Sequence, residues 1–536
     1  MSPWQHLSDN MEGSYLRFID AMEHAPEFQE SLLQKILREN SDTEFGRKYD
    51  FSSILNVEDY RSRVPISSYE DRRSDIERMA AGHKGILVGS DVEVFEETSG
   101  SSSKPKLVPY TEPSLSAYRG AVFPWLYDLI STRPNIASGR CYWSISPVAR
   151  EQKFTPSGMP IGLASDAAYF GDELQASLLS LSAVPYQLAG VPDIDVWRFL
   201  TVRYLLEAHD LSVISIWSPT FLLSLLQTLT ENPTTFVDAV AHGEVGRDLG
   251  DLSGILDLRF QPSRSRANDI KEALDDSTIN TKLIWPILDT ISCWTDASSR
   301  SFAQELEMLF PHARIQGKGL LATEGPVSVP LSEYPFPVLA INSSFFEFMD
   351  STGTPRLMDD LLDGRTYRLI TTTPGGLYRY DTGDNVEVMG WAKQAPMLKF
   401  VGRGSRASDL VGEKITEDAI APNLPSSRGF AMVAPCLRPS PHYTLFLDAE
   451  RFDTDAGDKA ASDLETALRN NPHYSYARDL NQLGPMDCKL VGNPVRTFEQ
   501  YALENDQRLG DIKIPALHTD TDWDTRFELL TLRAAE

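Results

Sequence analysis

Apolar positions along this chain alternate between two spacings. Leu32, Leu33, Ile36 and Leu37 recur at helical intervals and predict a helix over 14–40. Ile76 and Met79 mark a shorter one. The run Val92-Glu-Val94-Phe95-Glu96 has the in-out alternation of a strand. Beyond it the pattern predicts a helix over 110–130, a strand over 142–147 and a Gly/Pro-rich loop over 153–164. A helix over 196–208, a buried strand over 211–217 and a helix over 220–230 follow, the last starting just after Pro219. Strands over 283–291 and 313–316 flank a helix over 299–309. Apolar, strand-like stretches cover 338–349, 367–373 and 397–401. Strands alternating with helices imply α/β architecture, with mostly parallel sheets covered by helices. The texture changes at Gly402-Arg-Gly-Ser-Arg406. That break predicts a large N-terminal domain over 1–401, a hinge over 402–407 and a small α+β domain over 408–536. The small domain has a strand over 443–447 and a helix over 462–469.

Composition narrows the function. With 536 residues and 41% hydrophobic content the chain can bury a large core. A formal net charge of −26 argues against a nucleic-acid partner and against an anionic membrane surface. No stretch approaches the roughly 18 apolar residues of a membrane span, and Met-Ser-Pro-Trp-Gln-His starts no apolar signal core. The four cysteines, Cys141, Cys293, Cys436 and Cys488, are far apart without C-x-x-C spacing, which suits a reducing cytoplasm.

The stretch with most chemical promise is Glu97-Thr98-Ser99-Gly100-Ser101-Ser102-Ser103-Lys104-Pro105-Lys106. An open backbone with hydroxyls and lysines can wrap an anion, main-chain N–H groups donating to phosphate oxygens. It carries no Walker A spacing. Gly317-x-Gly319-x-x-Ala322 and Gly402-x-Gly404-x-x-Ala407 match a degenerate dinucleotide fingerprint, but neither clearly opens a helix. Thr323-Glu324 offers a carboxylate beside a hydroxyl, oxygen ligands of the kind Mg²⁺ shares with substrate phosphates. Asp384 ends Tyr-Asp-Thr-Gly-Asp, which reads as a turn, and its carboxylate could accept ribose hydroxyls. Lys414 follows the break, with Glu413 and Glu417 as candidate ion-pair partners. Taken singly, these are the residues of ordinary polar turns and solvated faces.

Their order is what carries meaning. A Thr-Ser-Gly-Ser-Ser-x-Lys-Pro-Lys loop precedes Ala-Thr-Glu-Gly, then Tyr-Arg-Tyr-Asp-Thr-Gly-Asp, then a strand running into Gly-Arg. This resembles the adenylate-forming superfamily of acyl-CoA synthetases, luciferases and peptide-synthetase adenylation domains. Thr43-Glu-Phe-Gly-Arg, Val64-Pro-Ile-Ser-Ser-Tyr-Glu, Ile76-Glu-Arg-Met-Ala-Ala-Gly, Lys318-Gly-Leu-Leu-Ala-Thr-Glu-Gly and Ser408-Asp-Leu-Val-Gly-Glu-Lys narrow it. They resemble the auxin-responsive acyl acid-amido synthetase family, which includes plant auxin- and jasmonate-conjugating enzymes and bacterial relatives. The likeness spans most of the chain and is weakest after Asn423.

The resemblance implies an ATP- and Mg²⁺-dependent ligase. A carboxylic acid attacks the α-phosphate to give an acyl-adenylate, and an amine, usually an amino acid, then takes the acyl group. By this likeness Thr98, Ser99, Ser101 and Ser102 cradle phosphates and Ala322 lines the adenine slot. Thr323 reaches the α-phosphate, Glu324 binds Mg²⁺ and Asp384 holds the ribose. Arg403 marks the hinge of a mobile small domain, and Lys414 swings in with that domain. Lys513, in Asp511-Ile-Lys-Ile-Pro, is a possible counterpart of the superfamily's late catalytic lysine, though its usual context is missing. Ser103 stands where the superfamily usually has glycine. Trp217, Phe221 and Trp143 are candidates for an acyl pocket, as is Trp294, beside the reading of these aromatics as core. Two alternatives stand beside the amide reading: transfer to a thiol such as coenzyme A, and a non-catalytic ligand-binding relative.

Overall fold

The computed structural model describes residues 2–98, 106–143, 153–163, 166–250, 252, 254–275, 279–403, 407–425, 429–505, 507 and 509–527. They form two compact units. The first takes in Met1–Ser215, Thr228–Ser292 and Gln316–Phe400; the second takes in Ile216–Gln227, Cys293–Ile315 and Val401–Glu536.

In the first unit, the helix expected over 14–40 is two helices, Pro3–Glu23 and Ala25–Glu39. Pro26 has no N–H to donate and its ring clashes with the carbonyl four residues back, so the first helix cannot run through it; the chain breaks at His24 and Pro26 sits in the first turn of the second helix. Trp4, Leu7, Met11, Phe18 and Met22 make one buried stripe of Pro3–Glu23. This helix packs along the long helix Glu112–Thr132. Thr111 caps that long helix, its Oγ1 accepting from Ser114 N.

A four-stranded sheet orders its strands Arg140–Trp143, Leu211–Ser215, Thr290–Cys293 and Arg314–Gly317. The first three are parallel neighbours, and Trp143, Ser215 and Ser292 share one row across them. The strand expected over 283–291 begins later. Pro286 cannot donate to a ladder, so Thr281–Ile284 forms a helical turn and the strand is Thr290–Cys293.

A second four-stranded sheet contains the hairpin of Val92–Thr98 and Lys106–Thr111, with Thr98 opposite Lys106. Two short strands, Lys153–Phe154 and Pro160–Ile161, complete it where a loop was expected. The largest sheet has seven strands, and its strands Phe345–Met349, Thr366–Thr372 and Tyr380–Ala392 pair antiparallel. The stretch read as a turn ending in Asp384 belongs to this last strand. Arg368 faces Asn385 and Ile370 faces Asp381, so the strand bulges across Thr382–Asp384. Gly383 supplies the required positive φ of 76°.

The second unit is α+β. Its three-stranded sheet orders Ala431–Cys436, His442–Asp448 and Asp487–Val491, antiparallel and then parallel. The helix Thr454–Leu468 starts earlier than the expected 462–469, because Asp453 caps it by accepting from Ala456 N at 2.8 Å. Tyr443, Leu445, Leu464, Leu468 and Tyr474 are buried together in this unit's core.

Candidate active site

Thr323-Glu324 is the two-residue turn of a small hairpin, Leu321–Ala322 paired with Gly325–Pro326. The chain enters it through Lys318-Gly319. Gly319 has φ +78°, and a Cβ there would stand 2.3 Å from the Ser328 carbonyl oxygen. Only glycine fits that approach. The turn is tied down by Tyr110, whose hydroxyl donates to the Thr323 carbonyl at 2.9 Å. Burial, reinforced by the charge of nearby Glu96, pushes the Tyr110 phenol well above its ordinary value. It therefore stays protonated and keeps donating. Glu96 is itself buried, and accepts from Leu163 N at 3.1 Å.

Glu324 is 8% exposed. It lines a cavity whose walls include Tyr110, Ser114, Tyr118, Ser344 and Thr373. A carboxylate among hydroxyls is an oxygen donor set. Among the described residues, no group of three or more His, Cys, Asp or Glu could hold a metal. A single carboxylate among hydroxyls fits a Mg²⁺ delivered with a phosphate ligand, which needs only one or two protein carboxylates.

Thr98 ends its strand, Val92–Thr98. Its Oγ1 is buried and has no hydrogen-bond partner among the described residues. Such a hydroxyl is expected to find a partner, and an anion beside Thr98 would supply one. Ser99, Ser101 and Ser102 lie outside the described residues, as do Ser103 and Lys104. Ala322 and Thr323 are half-buried on the hairpin. Asp384 is buried in the bulge, where its N–H donates to Thr382 Oγ1 at 3.1 Å.

The approach to that bulge is anchored by Arg379. Its guanidinium forks onto Glu347 at 2.8 and 2.9 Å and also donates to the carbonyls of Arg61 and Val64. Neither Tyr110 nor Arg379 stood out in the sequence as part of a site. Nothing local marks a tyrosine or arginine whose partners lie on other strands and helices of the fold.

In the second unit, Lys414 is exposed, with φ +47°. Glu413 and Glu417 are not its ion-pair partners. The Glu413 carboxylate is buried and accepts from Leu410 N at 2.7 Å, from Val411 N at 2.8 Å and from the Tyr443 hydroxyl. Glu417 accepts from Ala516 N at 2.8 Å. Glu413 thus clamps the turn that presents Lys414. Lys513 is exposed as a residue, but its ammonium sits 3.9 Å from the Trp294 ring centroid. Trp294 in turn lies 5.9 Å from Trp217. Phe221 is fully buried. Arg403 ends the strand Ala395–Arg403. Trp143 belongs to the first unit, where it packs beside Trp125 and Phe170.

The N-terminal domain of the GH3 family matches residues 15–315, its central domain 337–403 and its C-terminal domain 415–522. The chain belongs to the GH3 family. Indole-3-acetic acid-amido synthetase GH3.3 of Arabidopsis thaliana is 23% identical, covering 96% of this chain and 93% of its own length. Jasmonoyl-L-amino acid synthetase JAR6 of Nicotiana attenuata is 22% identical over 88% of this chain and 87% of its own. The solved structure of the acyl acid amido synthetase AtGH3.15 in complex with 2,4-DB gives a TM-score of 0.84 at 18% identity, covering 97% of this GH3 chain and 96% of that one. A 2-hydroxyisobutyryl-CoA ligase in the postadenylation state gives 0.52 at 12% identity, over 94% and 90% of the two chains. At these identities the structural likeness is one of fold.

Proposed function

We propose that this GH3 chain is an ATP- and Mg²⁺-dependent acyl acid-amido synthetase. It joins a carboxylic acid to an amine, the α-amine of an amino acid, through an acyl-adenylate. The observation that carries the reading is the Thr323-Glu324 hairpin: a buried carboxylate in a hydroxyl-lined cavity, held by Tyr110, in a chain of this family. In the first half-reaction a carboxylate oxygen of the acid attacks the α-phosphorus, and the bond to pyrophosphate breaks. In the second, the amine nitrogen attacks the acyl carbon, the bond to AMP breaks and the amine loses a proton.

The protein's part is positioning and charge. Thr98 donates its Oγ1 to phosphate, with Ser99, Ser101 and Ser102 of the same loop. Thr323 contacts the α-phosphate and Glu324 ligates the Mg²⁺ that comes with the nucleotide. Ala322 lines the adenine slot, and Asp384 accepts the ribose hydroxyls. Arg403 stands in the hinge at 402–407, between domains 1–401 and 408–536. Lys414 brings positive charge to the phosphate, and Lys513 serves the same chemistry from the small domain. Trp143, Trp217 and Phe221 contribute to acyl recognition. Four free cysteines suit the reducing cytoplasm in which we place the enzyme.

The test is pyrophosphate release with Mg-ATP across a panel of carboxylic acids, each with and without mixed amino acids. Acid-dependent release, with an amide identified by mass only when amine is present, is the expected result. Acid-dependent release with a thioester formed from coenzyme A and no amide would overturn it.

A further inference from the structure

The cavity beside Glu324 is lined by one hydroxyl to which no role has yet been given. Ser344, immediately before the strand Phe345–Met349, is 2% exposed and lines that cavity. Its hydroxyl stands beside the residue that follows Glu324: a Cβ on Gly325 would lie 3.7 Å from Ser344 Oγ. Gln29 holds the segment in place. Its Nε2 donates to the carbonyls of Ile341 and Ser344 at 2.6 and 2.7 Å, and its Oε1 accepts from Phe346 N at 2.9 Å.

Other hydroxyls around the cavity are engaged within the fold. Tyr110 donates to the Thr323 carbonyl. Ser343 Oγ lies 2.6 and 2.8 Å from the carbonyls of Pro326 and Ala340. Ser114 Oγ lies 3.0 Å from Thr111 Oγ1, and Thr373 Oγ1 accepts from Leu377 N at 3.3 Å. Ser344 differs: among the described residues its hydrogen bond is made by the carbonyl, and its hydroxyl has no partner. A buried hydroxyl needs one. Alanine would fill nearly the same space without that need.

The cavity leaves room for about one water-sized guest. That guest must suit a carboxylate and a hydroxyl oxygen together. Glu324 repels an anion, whereas a small hard cation takes both oxygens as ligands. Mg²⁺ binds through one or two carboxylates and substrate phosphates, and a serine or threonine hydroxyl serves it in the same way in P-loop sites. We propose that Ser344 Oγ is a second protein ligand of the Mg²⁺ that Glu324 binds. The inference rests on the adenylating function proposed above and adds a residue to its metal site. One carboxylate leaves the position of the ion loosely determined. A second oxygen, on a segment clamped by Gln29, determines it.

Mn²⁺ is the probe, since it takes the same oxygen ligands and its binding is read directly by electron paramagnetic resonance. It is added to the full-length enzyme with α,β-methylene-ATP, whose α–β bridge the enzyme cannot cleave. Ser344→Ala is expected to weaken Mn²⁺ binding about tenfold, and Ser344→Thr, which keeps the hydroxyl, by far less. Ser344→Cys supplies a softer ligand. It should lower affinity for Mn²⁺ and raise that for Cd²⁺, measured by competition, shifting the ratio about tenfold or more from the parent's. A residue that only supports the fold would not move that ratio. Unchanged Mn²⁺ affinity in Ser344→Ala overturns the inference and leaves the hydroxyl facing water. An unshifted ratio in Ser344→Cys overturns it as well, and decides the matter if Ser344→Ala does not fold. Pyrophosphate release by the parent across the acid panel separates the two claims. Release with any acid, alongside Mn²⁺ binding indifferent to residue 344, removes Ser344 and leaves the synthetase reading standing. No nucleotide-dependent Mn²⁺ binding and no release with any acid removes both.

Discussion

Arg379 gives the clearest test of how the fold supports the site. Its guanidinium and the Glu347 carboxylate are both buried, at 5% and 1% exposure. Replacing Arg379 with Met removes four hydrogen bonds at 2.7 to 2.9 Å: two to Glu347, one to the Arg61 carbonyl and one to the Val64 carbonyl. The methionine nearly matches the stem, so little packing is lost. The dominant cost is the stranded carboxylate, about 3–5 kcal/mol for a broken buried pair. Arg61, with Nε 3.2 Å from Glu347 Oε1, offsets part of this. The expected destabilisation is therefore about 3 kcal/mol. The double variant Glu347→Gln/Arg379→Met removes the stranded charge and should recover at least about 1 kcal/mol of that loss. Urea denaturation of the single and double variants, compared at constant m, reads both numbers. The same variant should raise the KM for ATP, because Arg379 anchors the strand that bulges into Asp384. An Arg379→Met protein within about 0.5 kcal/mol of the parent would show that the buried pair does not hold this strand.

Lys414→Ala should leave thermal stability unchanged, because the side chain is exposed, yet lower the rate of pyrophosphate release by about 10²–10³; unchanged turnover would remove Lys414 from the mechanism. Glu324→Gln should raise the Mg²⁺ concentration needed for half-maximal rate, and an unaltered Mg²⁺ titration would make Glu324 a structural residue. Tyr110→Phe removes the 2.9 Å bond to the Thr323 carbonyl and should cost about 1 kcal/mol of stability together with a drop in kcat. Burial pushes the Cys141 thiol up to about 12, and the Cys488 thiol up to about 11. At pH 8 only about one in a thousand or fewer of either is thiolate. Iodoacetamide should therefore label the native protein slowly at pH 8, with labelling accelerating as pH rises and becoming rapid on unfolding. Prompt modification of Cys141 in the native state would contradict its burial.

Local patterning determined much of this protein. The Leu33, Ile36 and Leu37 stripe, the alternation at Val92–Thr98 and the apolar run at Leu211–Ser215 each place side chains on one face by backbone period, so they could be read without knowing a partner. The α/β class and the family likeness followed from such runs and from short motifs in fixed order. Where a proline changed the backbone, as at Pro26 and Pro286, the apolar pattern continued past the point where the element had to break. Period alone misplaced those boundaries. Tertiary structure decided the rest. Glu413, which could be read beside Lys414 as its ion-pair partner, turns inward to Leu410, Val411 and Tyr443. Tyr110 meets Thr323, Arg379 meets Glu347, and Lys318 meets Ser215 only after the sheets assemble. A hydrogen bond between groups far apart along the chain leaves no period and no motif. It exists because chain closure puts two polar groups in one dry place, where each must find a partner.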